Sequence, residues 1–110
     1  MKYAVKDVQG TAVIAFVGEV DLEHSPAARK VLLEWVERGR NVVVDMSQVA
    51  YIDSSGIASL VEALQCARRK GTRLSLAAVS PAALRVFQLA RLDKVFTIHD
   101  SVSAGTAPHG

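Results

Sequence analysis

The sequence predicts a single α/β domain, a mixed β-sheet of about five strands with an N-terminal hairpin and helices packed mainly on one face. Three observations carry this. Residues 2–17 read as alternating segment, turn glycine and β-rich run, the pattern of a hairpin. Three later stretches repeat apolar residues at helical spacing, bounded by Ser-Pro or glycine. Short apolar runs rich in β-branched residues stand between those helices, as strands do in alternating α/β chains. A length of 110 residues fits one domain. The domain is expected over residues 1–101, with 102–110 as a flexible tail.

The elements follow in order. Residues 2–7 alternate weakly, Gly10 marks a turn, and Thr11 to Val17 ("TAVIAFV") is a buried second strand. Ser25-Pro26 is a helix start, with Ser25 as N-cap and Pro26 at the first helical position. Val31, Leu32, Trp35 and Val36 give that helix an apolar face, and Gly39 stops it. Residues 41–46 ("NVVVDM") read as a central strand, and "SQVAYID" as a connector ending at Asp53. From Ser54, the positions Ile57, Leu60, Val61, Leu64 and Ala67 define an amphipathic helix closed by Gly71. "RLSLAAV" is a strand, Ser80-Pro81 repeats the helix start, and "VFTIH" is the last strand. The order is β-β-α-β-α-β-α-β, and the crossovers from the third strand onward should be right-handed and parallel.

Composition narrows the function classes. Half the residues are hydrophobic and 22% charged, so the chain is globular rather than disordered. The net charge of +2 and scattered basic residues do not predict direct nucleic-acid binding. Arg68-Arg69-Lys70 is a solvated helix end that complements the dipole. Cys66 is the only cysteine, so no intramolecular disulfide forms, and its place on an apolar helix face makes it a buried thiol. His24, His99 and His109 lie far apart at boundary or tail positions, so no metal site is expected. No apolar stretch reaches the roughly 18 residues of a membrane span. The N-terminus is charged too early for a secretory signal. A cytoplasmic monomer without direct membrane insertion is the expectation.

The unusual stretch is "YIDSSGIASL", residues 51–60. Asp53-Ser54-Ser55-Gly56 stands where an apolar run hands over to a helix. Asp53 or Ser54 can simply be the N-cap, accepting hydrogen bonds from orphan amides of the first turn. The same geometry suits a phosphate, because free N–H groups and the dipole put positive charge there. A phosphate added to a serine would change the charge and bulk of the surface without refolding the domain. Spacing alone leaves both readings open.

Taken together, "VVVDMSQVAYIDSSGIASLVEAL", "VSPAALRVFQLARLDKVFTI" and "VGEVDLEHSP" resemble the STAS domains, in particular the bacterial anti-sigma factor antagonists. The resemblance runs from about residue 4 to residue 99. It implies the same mixed-sheet fold. It also implies partner switching: the unphosphorylated protein binds an anti-sigma factor that is also a serine kinase, and so releases a sigma factor. The implied phosphate acceptor is Ser54, reversed by a serine phosphatase of the metal-dependent type. Asp53 and Gly56 match the motif around the acceptor, Ser55 matches a Ser/Thr position, and Asp21 matches an acidic position on a neighbouring loop. The exposed helix face of Ser55, Ser59 and Glu62 is the expected docking surface. Two positions depart from the pattern. Ala58 stands where the family often has glycine, which blurs the distinction from related STAS proteins. Arg91 also replaces a glycine, which puts the left-handed cap of the third helix in question.

The sequence admits two other readings to compare. A constitutive STAS subunit of a phospholipid-transport ABC system suits a short chain of this kind. An enzyme with Ser54 as nucleophile does not, because "YIDSSGI" lacks the first glycine of Gly-x-Ser-x-Gly. No catalytic residue and no cofactor is expected, and no Gly-rich phosphate loop marks a nucleotide site.

Overall fold

The computed structural model describes residues 1–107. Its elements are β1 (Lys2–Val8), β2 (Thr11–Val20), α1 (Ser25–Glu37), β3 (Asn41–Ile52), α2 (Ser54–Lys70), β4 (Leu74–Ala77), α3 (Pro81–Leu89), β5 (Thr97–His99) and α4 (Val102–Thr106). The five strands form one sheet in the order β1-β2-β3-β4-β5. β1 pairs antiparallel with β2, from Lys2↔Val17 to Val8↔Thr11. Gln9 (φ +52°) and Gly10 (φ +86°) turn the chain between them. Two positive φ values in a two-residue loop match the right-handed twist of the flanking strands. The other pairings, β2–β3, β3–β4 and β4–β5, are parallel.

Strand alternation sends Ile14, Phe16, Val42, Val44, Leu74 and Leu76 to one face. Helices α1, α2 and α3 cover that face with Val31, Leu32, Val36, Leu60, Ala63 and Phe87 among others. Phe87 meets Phe96 edge to face, with ring centroids 5.6 Å apart. Val13, Val43 and Ala77 form a smaller apolar cluster, against which Val8 and Val102 pack. Cys66 is a buried free thiol. No helix among the described residues is long and apolar enough to cross a membrane.

Four boundaries differ from the sequence expectation. First, the "SQVAYID" connector is strand: β3 runs on to Ile52, pairing Glu19↔Tyr51 and Val20↔Ile52 with an equally extended β2. Register shifts between Ala15/Val17 and Gly18/Glu19 break the alternation that would have marked these residues. Second, Ser25 is the first residue of α1 rather than its cap, and it is buried. The turn is closed by Asp21, whose backbone oxygen accepts from His24 N (3.1 Å) and Ser25 N (2.7 Å). At α3 the same dipeptide behaves as expected, with Ser80 Oγ accepting from Ala83 N at 3.2 Å. Third, α3 keeps a left-handed end without glycine: Arg91 takes φ +59°, and Leu92 N donates to Phe87 O at 2.8 Å.

Fourth, the expected tail from residue 102 is partly ordered. Val102–Thr106 forms α4. Ser101 Oγ caps it by accepting from Ala104 N at 3.1 Å, and Val102 packs on the Val13–Val43–Ala77 cluster. Gly105 lets α4 lie close to the sheet, since a Cβ there would stand 3.1 Å from His99 Cδ2 and 3.3 Å from Val43. Residues 108–110 of the expected tail, including His109, lie outside the described residues.

Candidate functional site

The long β3 delivers Asp53 to the mouth of α2. Its extended backbone (φ −112°, ψ −172°) makes it the N-cap. Asp53 Oδ1 accepts from Ser55 N (3.0 Å), Gly56 N (3.2 Å) and the Ser55 hydroxyl (2.5 Å). Asp53 Oδ2 accepts from Leu22 N at 3.2 Å, which ties the β2–α1 loop to the start of α2. These donors hold the Asp53 carboxyl below its ordinary value. The Ser55 hydroxyl does most; partial burial opposes it; the N–H groups of Gly56, Ser55 and Leu22 add to it.

The two hydroxyls of the motif therefore differ. Ser55 is half-buried and spent on Asp53. Ser54 is the first residue of α2, exposed, and makes no side-chain hydrogen bond among the described residues. Gly56 is buried where side chains do not fit. A Cβ there would press into the Val20 carbonyl and stand 2.8 Å from Ile52 Cγ1. Its role is close packing of the helix start against both strand ends.

The remaining candidates fall into place around this cap. Asp21 is half-buried and turned back on its own loop, accepting from His24 N (3.0 Å) and contacting the His24 ring at 2.7 Å. Burial pushes its carboxyl up, but the His24 N–H, the ring and the ring's charge together bring it below the ordinary value. Glu62 is held by Arg29 of α1 through two hydrogen bonds, 2.5 and 2.7 Å. That pairing lowers the Glu62 carboxyl and raises the Arg29 guanidinium. Ser59 departs from the expected docking surface. It was expected on the exposed face, but it is buried between α1 and α2, where its hydroxyl donates to Ser25 O (3.3 Å) and Ser55 O (3.2 Å). A serine among apolar neighbours can face inward when two carbonyls are in reach.

Leu22 is a residue that sequence reasoning missed. Its side chain is 76% exposed, although its N–H is fixed to Asp53. An apolar residue between acids, in "VDLEHSP", was the available signal. Among the described residues no three His, Cys, Asp or Glu side chains gather as they would around a metal ion.

The site is a hydroxyl held outward on a rigid, positively poled helix start, beside a carboxylate and an exposed apolar side chain. The fold and the capped helix start define a small α/β module of the STAS type. The chain belongs to the STAS domain family, whose model matches residues 2–105. It is 25% identical over 101 residues to the anti-sigma-B factor antagonist of Bacillus subtilis, covering 92% of this chain and 93% of that one. It superposes on an anti-sigma factor antagonist from Mycobacterium paratuberculosis with a TM-score of 0.86 and 26% identity, covering 94% of this chain and 88% of that one. The Bacillus anti-sigma factor antagonist SpoIIAA shares the fold, with a TM-score of 0.80 and 18% identity in its unphosphorylated form, over 94% of this chain and 92% of that one.

Proposed function

We propose that this chain is a cytoplasmic anti-sigma factor antagonist switched by phosphorylation of Ser54. The observation that supports this reading is the unequal use of two adjacent hydroxyls: Ser55 is bound to Asp53, and Ser54 is exposed and without a side-chain hydrogen bond among the described residues. The names of its relatives agree. In this reading the unphosphorylated surface around Ser54 binds an anti-sigma factor serine kinase. The kinase moves the γ-phosphoryl group of ATP to Ser54 Oγ; the hydroxyl proton goes to a base on the kinase and ADP leaves. The dianion then stands beside the Asp53 carboxylate and the exposed Leu22. Carboxylate repulsion and the desolvation a dianion must suffer in an apolar contact both weaken binding. A serine phosphatase of the metal-dependent type restores the hydroxyl. The domain acts as a binding module with no catalysis of its own. Antagonist names among the relatives favour this reading over that of a transport-system subunit.

Calorimetry with an anti-sigma factor kinase from the source organism tests it. Wild type and Ser54→Ala should bind alike, and Ser54→Asp should bind at least about tenfold more weakly, as expected for a charge placed in a desolvated contact. Equal binding by all three would contradict it.

A further inference from the structure

At the opposite pole of the sheet from Ser54 lies a cavity of about 440 Å³, within the size range of small-molecule sites. Asn41 and Ile52 are the two ends of the 12-residue β3; the cavity opens at the Asn41 end and Ser54 follows the other. Thr11, Asn41, Ser75, Thr97 and His99 line it from four neighbouring strands. Strand alternation puts them on the face of Val13 and Val43, the face that α4 covers. Gly105 and Thr106 of α4 close one side, and Arg68 in the last turn of α2, with Thr72 and Arg73 just beyond that helix, stand at the rim.

Three features give the cavity a chemistry. Its lining contains no carboxylate among the described residues, yet it includes two exposed arginines and a histidine. Among the described residues neither Arg68 nor Arg73 is in an ion pair, whereas Arg29, Arg38 and Arg40 each are. Ser75 is 9% exposed, lines the cavity, and its hydroxyl has no hydrogen-bond partner among the described residues. The hydroxyl itself is open to the cavity rather than sealed off, since it is not among the enclosed polar atoms, and so it stands available as a donor to a ligand. The Asn41 carbonyl oxygen is already used by Arg73 N at 3.0 Å, so the amide of Asn41 presents its N–H groups as donors. Val43 supplies apolar wall on the face of these donors, and Val42, Leu64 and Leu74, from the opposite face, border the cavity where it wraps around the strand ends.

We infer that this cavity binds a small amphiphilic anion, a phosphate or phosphate ester carrying a short apolar body. Arg68 and Arg73 take the charged oxygens, Ser75 and Asn41 donate to them, and the apolar wall receives the body. Guanidinium groups suit this because their planar N–H pairs match phosphate oxygens. The site is separate from Ser54 and does not depend on the antagonist reading.

The test uses the full chain with hexyl phosphate, inorganic phosphate and hexanol as probes, followed by calorimetry and amide NMR, with sedimentation on phosphatidylglycerol vesicles as a further arm. Hexyl phosphate should bind saturably and more tightly than inorganic phosphate or hexanol. It should shift the amides of Asn41, Arg73, Ser75 and Thr97 and leave those of Ser54 and Ser55 in place. Arg68→Gln and Arg73→Gln, both at exposed positions, should each weaken binding by about tenfold, as loss of a hydrogen bond to a charged group does. Free hexyl phosphate binding identifies a soluble ligand. Arg73-dependent sedimentation without it identifies a lipid headgroup, and either supports the inference. No binding to hexyl phosphate or vesicles, wild-type affinity in both arginine variants, or hexanol binding as tightly as hexyl phosphate would overturn it.

Discussion

The Ser55 hydroxyl donates to Asp53 Oδ1 at 2.5 Å, while the neighbouring Ser54 hydroxyl has no partner among the described residues. One helical step separates a structural serine from a free one. Ser54→Ala should therefore leave the melting temperature within about 1 °C of wild type, as surface changes away from packing do. Ser55→Ala should lower it by a few degrees through loss of a cap contact. Thermal denaturation followed by circular dichroism checks both.

Gly56→Ala puts a Cβ into the Val20 carbonyl, a backbone atom that cannot rotate aside. Alanine is the better helix former, but the gain of up to about 1 kcal/mol is smaller than the overpacking cost of about 1–3 kcal/mol in a tight core. The variant should be less stable in denaturant titration, with its midpoint shifted down and its slope unchanged.

Arg91 sits at φ +59° at the end of α3, a conformation that costs a residue with a Cβ about 1 kcal/mol. Arg91→Gly should relieve most of that strain and raise the denaturation midpoint. The opposite shift would mean that the arginine side chain stabilises the cap in another way.

Acid should reveal the cap. Asp53 titrates below its ordinary value in the folded chain because the Ser55 hydroxyl, and then backbone N–H groups, favour its charged form against the opposing effect of burial. A carboxylate of this kind contributes its stability in full above the unfolded-state pKa, and loses it as pH falls through the lower folded-state value. Wild type should lose stability more steeply below about pH 4 than Asp53→Asn, since an unfolded aspartate titrates near there. Asp21 and Glu62 shift in the same direction, so the difference between the two proteins, rather than either curve, isolates Asp53.

The sequence was most informative where one residue type decides the backbone. Gly71 ends α2 at φ +74°, and Ser80-Pro81 starts α3 as its pattern demands. Of the two capping candidates Asp53 takes the cap, and Ser54 makes no side-chain hydrogen bond among the described residues, which leaves it available for the phosphate proposed above. Legibility failed where tertiary contacts decide. The same Ser-Pro dipeptide does not cap α1, because Asp21 reaches that turn first. Ser59 looked exposed because its hydroxyl suggested water, and only the packing of α1 on α2 shows the carbonyls that receive it. Nothing local marks Val102–Thr106 as helix; its order comes from Val13, Val43 and Ala77, far away in the chain. The cavity at the strand ends beside α4 was hidden with it.

The most direct measurement is phosphosite mapping. The chain is incubated with an anti-sigma factor kinase from the source organism and ATP, then digested and read by mass spectrometry. Phosphate on the Ser54 side chain alone, absent from Ser54→Ala and retained in Ser55→Ala, is the predicted result. Phosphate on Ser55, or none on a protein that the kinase demonstrably binds, would contradict it.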